Sequence, residues 1–156
     1  MTMTDGGVPG AALASRSSRF LASAFDGLLA LGLSFPVLVH LGGLSWLRAG
    51  QPLPFPVALQ VTAANVAVFL VLNAYTLHTR GQSLGKRLLG IRIVDATTGQ
   101  VPSLSRLILR RYGFVWLLNT VPGVRGVAFP LDFIFIVRAD RRALHDLVGG
   151  TLVVKA

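Results

Sequence analysis

The chain contains no cysteine and no glutamate. Without cysteine there is no disulfide framework, no thiol nucleophile and no thiolate metal site. The acids are six aspartates (Asp5, Asp26, Asp95, Asp132, Asp140 and Asp146), and charged residues make up only 13% of the 156 positions. A soluble domain carries roughly 25%. Lysine is nearly missing as well, since Lys86 and Lys155 are the only two beside thirteen arginines. The histidines, His40, His78 and His145, have no metal-ligand spacing, so no metal and no cofactor is expected. The scarcity of charge argues against an ordinary soluble enzyme. The apolar share of 53% excludes disorder, which needs low hydrophobicity and high charge. A mean hydropathy of +0.65 leaves a small integral membrane protein as the expected class.

Long apolar runs are what the chain does have. Residues 20–39 and 57–77 are each about 20 residues long, and at about 1.5 Å per residue each covers the roughly 30 Å of bilayer hydrocarbon. Between them, residues 42–56 carry Gly42, Gly43, Gly50, Pro52, Pro54 and Pro56 and read as a loop, with Trp46 suited to an interface. Residues 79–105 are basic and polar. Within them IRIVD (91–95) alternates like a strand and TTGQ (97–100) signals a turn. A helix should start near Pro102–Ser103 and run to about Val121, and a last apolar stretch reaches Val137. Neither of these two reaches 18 apolar residues, so 106–121 and 124–138 are two short spans or a re-entrant hairpin. TLVVK (151–155) is strand-like.

The expected fold is therefore an all-α membrane protein. It is a four-helix transmembrane bundle, two full spans plus two short spans or a re-entrant hairpin, with a small cytoplasmic two-stranded β element. Residues 1–18 read as a disordered cytoplasmic tail and 19–156 as one membrane domain, whose last segment, 139–156, is cytoplasmic. IRIVD and TLVVK are expected to pair and to gather Lys86, Arg87, Asp95 and Asp146 below Asp26.

The placement of charge sets the orientation. With both termini and residues 79–111 in the cytoplasm, thirteen of the fifteen bases lie inside, and Arg48 and Arg125 lie outside. That is a strong positive-inside signal. It accounts for the net charge of +9 without a nucleic-acid partner, and no aromatic-interleaved basic module is present. Anionic headgroups at the cytoplasmic face are the expected partner.

GQSLG (81–85) fits the nucleophile-elbow pattern, but an elbow sits between a strand and a helix on a large sheet, and here an apolar span precedes it. GQSLGKR is also one residue short of a phosphate loop, with Arg87 in place of the hydroxyl that binds magnesium. Gly81, Gln82, Gly85, Lys86 and Arg87 are better read as a tight turn with a basic rim at the membrane surface. No catalytic residue is assigned.

Asp26 is the most informative single residue. It lies about 9–10 Å into the first span, where an isolated aspartate costs up to about 2.5–3.5 kcal/mol. It should face protein or water and have a partner. Arg19, two turns earlier, points to the same side and, with Arg106, Arg110 and Arg111, is a candidate for that pair. Ala22, Ser23, Gly27, Ala30 and Ser34 line that side, and Thr62, Asn65, Asn73 and Thr76 form a polar stripe on the second span. The two faces are expected to meet. Asp132, in FPLDFIF, is a second intramembrane acid.

Three blocks of the chain resemble one family. SRFLASAFD (18–26), GQSLGKRLLGIRIVD (81–95) and LHDLVGGTLVV (144–154) are similar, in this order, to the signature segments of the RDD family of small prokaryotic membrane proteins. Ser83 and Gly149 replace the usual threonine and alanine. The resemblance implies that Arg19, Asp26 and Asp146 are the arginine and two aspartates that name the family, with His145 beside the last. It also implies a multi-pass protein of the bacterial plasma (inner) membrane. Transport, including cation–proton exchange, has been proposed for the family.

Two functions follow. In the first, the chain transports a small solute or exchanges cations for protons, with Asp26 as the working acid, and forms a homo-oligomer because four short spans enclose little alone. In the second it is a non-catalytic accessory or assembly subunit of a larger membrane complex. A pair between Asp146 and Arg19 would tie the C-terminal segment to the base of the first helix.

Overall fold

The computed structural model describes residues 11–120, 124, 134–135 and 142–156. The described residues are mostly helical, at 68%, and among them the named strands form one two-stranded sheet. Helix α1 is Arg16–His40. The Ser15 side chain caps it by accepting the Ser18 N–H at 3.0 Å, and it runs through Pro36 to a left-handed Gly42. Its 25 residues span about 37 Å, more than the hydrocarbon thickness. One stripe of α1 is buried, namely Arg19, Ala22, Asp26, Ala30, Ser34 and Leu38. Steps of three and four residues keep that stripe on one side. Leu21, Phe25, Leu28, Leu31 and Leu33 point outward.

Residues 43–48, expected as loop, form a short helix, α2 (Gly43–Arg48). Three apolar residues (Leu44, Trp46 and Leu47) between flanking glycines suffice for one and a half turns. Gly43 lies against Leu38, where a Cβ would overlap the leucine side chain. Helix α3 is Phe55–Arg80, with Pro56 in its first turn. It returns antiparallel to α1, and Ser34 Oγ donates to Asn65 Oδ1 at 2.9 Å where the two polar stripes meet. Only Phe69, Asn73 and Leu77 of α3 are buried. Both α1 and α3 are long and apolar enough to cross a membrane.

At the end of this hairpin where α1 begins and α3 stops sits a cap. It holds α4 (Leu84–Leu88), β1 (Ile91–Asp95), α6 (Leu144–Gly149) and β2 (Thr151–Lys155). Strands β1 and β2 are antiparallel, with Ile91 opposite Lys155, Ile93 opposite Val153 and Asp95 opposite Thr151. Alternation divides the sheet. Ile91, Ile93 and Val153 pack toward Ala22 of α1 and Leu77 of α3, whereas Val94, Leu152 and Val154 face the other way and are covered by Ala11 and Leu13. Residues 11–15, read from sequence as part of a mobile tail, lie against β2. Leu13 bridges Val154, and the Ala14 N–H donates to Val153 O at 3.0 Å.

Helix α5 follows the sheet turn in three contiguous parts, Leu104–Arg106, a π-helical stretch Leu107–Tyr112, and Gly113–Thr120. Ser103 caps its start. Its Tyr112 and Trp116 pack on Phe69, with ring centroids 4.7 and 5.7 Å away. Asp132 and most of the stretch expected as a span over 124–138 lie outside the described residues.

Candidate functional site

Three polar groups hold the cap together and join it to the long helices and to α5. In the first, α4 begins against α1. The Asp26 carboxylate accepts the Gly85 N–H at 2.7 Å and the Ser83 hydroxyl, and the Lys86 ammonium lies 4.0 Å away. Asn73 Oδ1 takes the neighbouring Leu84 N–H at 2.7 Å. Two of the free amides at the start of α4 are thus satisfied by side chains of the two long helices. The glycines explain the close approach. A Cβ at Gly85 would overlap the Ala22 carbonyl oxygen, and one at Gly81, where φ is +66°, would overlap the Ile93 carbonyl oxygen. Gln82 adds a bond to Ile91 O at 3.0 Å. Lys86 is 5% exposed and Ser83 is fully buried, while Arg87 points outward.

The second group centres on Asp146, which is fully buried. Its carboxylate pairs with the guanidinium groups of both Arg19 (α1) and Arg111 (α5). It also accepts the Ala143 N–H at 3.1 Å, which caps α6. Arg111 further donates to Thr151 Oγ1 at 2.6 Å, and His145 Nε2 is 3.6 Å from the carboxylate. One acid therefore fastens the first helix, the π-helical stretch, α6 and the start of β2.

The third group is nearer solvent. Asp95 receives the Thr97 hydroxyl, the Thr98 and Thr97 amides, and the Arg106 guanidinium. These donors, the Thr97 hydroxyl foremost, hold its carboxyl well below the usual carboxylate range against a smaller opposing effect of burial. Arg106 also donates to the carbonyls of Gly149 at 3.0 Å and Gly150 at 3.3 Å, closing the C-terminal end of α6.

Several expectations are corrected here. Asp26 pairs with none of Arg19, Arg106, Arg110 and Arg111. Arg19 and Arg111 are drawn to Asp146, Arg106 goes to Asp95, and Arg110 is exposed. Of Lys86, Arg87, Asp95 and Asp146, Lys86 does approach Asp26, but Asp95 and Asp146 centre the other two groups and Arg87 points outward. Ser83, Arg106, Arg111 and Thr151 carry bonds that the sequence reading did not assign. Asn65 meets Ser34 of α1, whereas Asn73 is buried against the start of α4, and Ser23 and Gly27 are exposed. Among the described residues no group of three or more His, Cys, Asp or Glu could hold a metal ion.

Two apolar helices with a buried polar stripe, closed at one end by a small ion-paired cap, define a membrane-associated helical protein. The chain belongs to the RDD family, whose family model matches residues 13–150. It is 31% identical over 147 residues to an "Uncharacterized protein" of Haemophilus influenzae, covering 92% of this chain and 79% of the relative. It is 41% identical over 95 residues to "Uncharacterized protein YckC" of Bacillus subtilis, covering 59% of each. It is 31% identical over 100 residues to "Uncharacterized protein RP437" of Rickettsia prowazekii, covering 59% of this chain and 51% of the relative. No solved structure matches the chain.

Proposed function

We propose that this chain is a non-catalytic, multi-pass module of the bacterial plasma (inner) membrane that serves as an accessory or assembly subunit of a larger membrane complex. Its two long helices cross the membrane fully, and the cap faces the cytoplasm. The observation that carries this reading is the condition of the three name-giving side chains. Arg19 is 5% exposed, Asp26 8% and Asp146 0%, and each is bonded to a segment far away in the chain. Buried charges held in this way fix register and docking while adding little net stability. They fit a rigid platform better than a path along which an ion moves. The outward side chains of α1 and α3 supply apolar surface for neighbouring subunits.

One observation favours transport instead. The Lys86 ammonium, 4.0 Å from Asp26, is a tethered cation beside an acid inside the first span. An exchanger could release that contact to admit a metal cation or a proton. The test is cation-driven proton movement in proteoliposomes, wild type beside Asp26→Asn. The accessory reading expects no flux from either protein and a fall in the amount of folded variant, because the substitution leaves Lys86 without its counter-charge. Flux in the wild type that disappears in a folded Asp26→Asn protein would establish transport and end the accessory reading.

A further inference from the structure

Two stretches on the outside of the molecule share a composition that the ion-paired groups do not use. At the end of α4, Leu88 is 67% and Leu89 38% exposed, next to the exposed Arg87. On α5, Leu109 is 74% exposed, next to the exposed Arg110. Neither guanidinium has a protein partner among the described residues. Ser105, Arg106, Leu109 and Arg110 line a shallow open groove.

Both stretches lie at one height. Gly85 packs on the carbonyl of Ala22, so α4 lies beside the second turn of α1. Arg111, two residues after Leu109, pairs with Asp146, which also holds Arg19 in the first turn of α1. On α1 this is where polar Arg16–Arg19 gives way to apolar Phe20–Leu21, which is where the hydrocarbon boundary must fall. Exposed leucines beside exposed arginines at that level suit a lipid interface, because aliphatic side chains enter the acyl boundary while adjacent arginines reach the phosphates.

We infer that α4 and the π-helical part of α5 form an interfacial belt, in which Leu88, Leu89 and Leu109 enter the bilayer boundary and Arg87 and Arg110 bind the phosphates of anionic phospholipids. The occupant follows from charge complementarity, since the belt holds free guanidinium groups and no exposed acid. Arg92 provides an internal contrast. It is also exposed but lies on the sheet face turned away from the helices, opposite Val154. The inference rests on membrane insertion of α1 and α3 and holds for either function considered above.

The absence of cysteine makes single-cysteine labelling direct. Leu88→Cys, Leu109→Cys, Arg92→Cys and Val71→Cys proteins are labelled with an environment-sensitive fluorophore and reconstituted in vesicles of zwitterionic and anionic phospholipid. Val71, 86% exposed in the middle of α3, reports insertion. Probes at 88 and 109 should be quenched by lipids brominated near the top of the acyl chain and shielded from aqueous iodide, and the probe at 92 should show the reverse. In the unlabelled protein, Arg87→Gln and Arg110→Gln should each lower retention of anionic over zwitterionic lipid by about fivefold, with Arg92→Gln unchanged. Iodide quenching at 88 and 109 equal to that at 92, with 71 still reached only by lipid, would overturn the belt and leave insertion standing. Iodide quenching at 71 as well would overturn both. Equal loss of anionic lipid in all three glutamine variants would remove the specific role of Arg87 and Arg110.

Discussion

At the scale of single residues, the most consequential side chain is Asp146. Two arginines converge on its carboxylate, and all three groups are withdrawn from water. Desolvating an ion is expensive, so removing one member of such a cluster costs far more than the cluster contributes net. Asp146→Asn keeps the shape and one acceptor oxygen but takes away the charge that both guanidinium groups share. The expected loss is about 3–5 kcal/mol, a large part of the roughly 5–15 kcal/mol that holds a domain folded. It should appear as a sharp fall in membrane abundance and in the thermal transition of purified protein. A variant with near wild-type stability would mean that the two arginines are held by something other than this aspartate. Asp26 differs in kind. Its bonds go to a backbone amide, a hydroxyl and a lysine, which makes it an anchor for the first turn of α4 rather than one half of an arginine pair.

At the scale of elements, the turn after β1 and the start of α5 are held by Asp95 and Arg106, and here pH has a definite sign. Donors around Asp95 hold its carboxyl well below the ordinary value near 3.9, so the folded form binds fewer protons than the unfolded form in acid. The stabilisation is fully present above the unfolded value, declines as pH falls below about 4, and is gone once pH has passed the folded value. Asp95→Asn should therefore be less stable than wild type at neutral pH, with the difference closing in strong acid. Thermal melts of detergent-solubilised protein across that range measure it, and a constant difference at every pH would sink the assignment.

The elements also differ in how far sequence exposed them. The long helices α1 and α3 were legible because twenty apolar residues in a row have few other uses. The strands were legible because IRIVD and TLVVK alternate and are rich in β-branched residues. The pairing of Arg111 with Asp146 is not legible in the same way. Arg111 lies four residues after the buried Leu107 and turns inward with it, which leaves Arg110 outside. Its aspartate follows 35 residues later, and local spacing does not reveal so distant a partner. The partners of Asp26 were hidden for a related reason, since Ser83 and Lys86 reach it only after Gly81 reverses the chain and Gly85 lets α4 touch α1.

At the scale of the molecule, the charged ends of α1 and α3 lie together with the cap, and Arg48 of α2 lies at the opposite end of the hairpin. Positive charge near membrane-spanning ends is retained on the cytoplasmic side. The arrangement therefore predicts an orientation that each end of the molecule can report separately. Ser45 is exposed on α2, and Thr98 is exposed in the turn after β1. A thiol reagent that cannot cross a bilayer should label Ser45→Cys in intact spheroplasts. It should label Thr98→Cys only in inverted vesicles or after permeabilisation. The opposite pattern would put the cap outside and remove the cytoplasmic docking platform from the accessory reading. Labelling of both sites from one side would mean that α1 and α3 do not form a crossing hairpin. Their outward leucines would then have to be covered by protein, and the ion-paired cap would be a lid on a buried bundle rather than the floor of a membrane-spanning one.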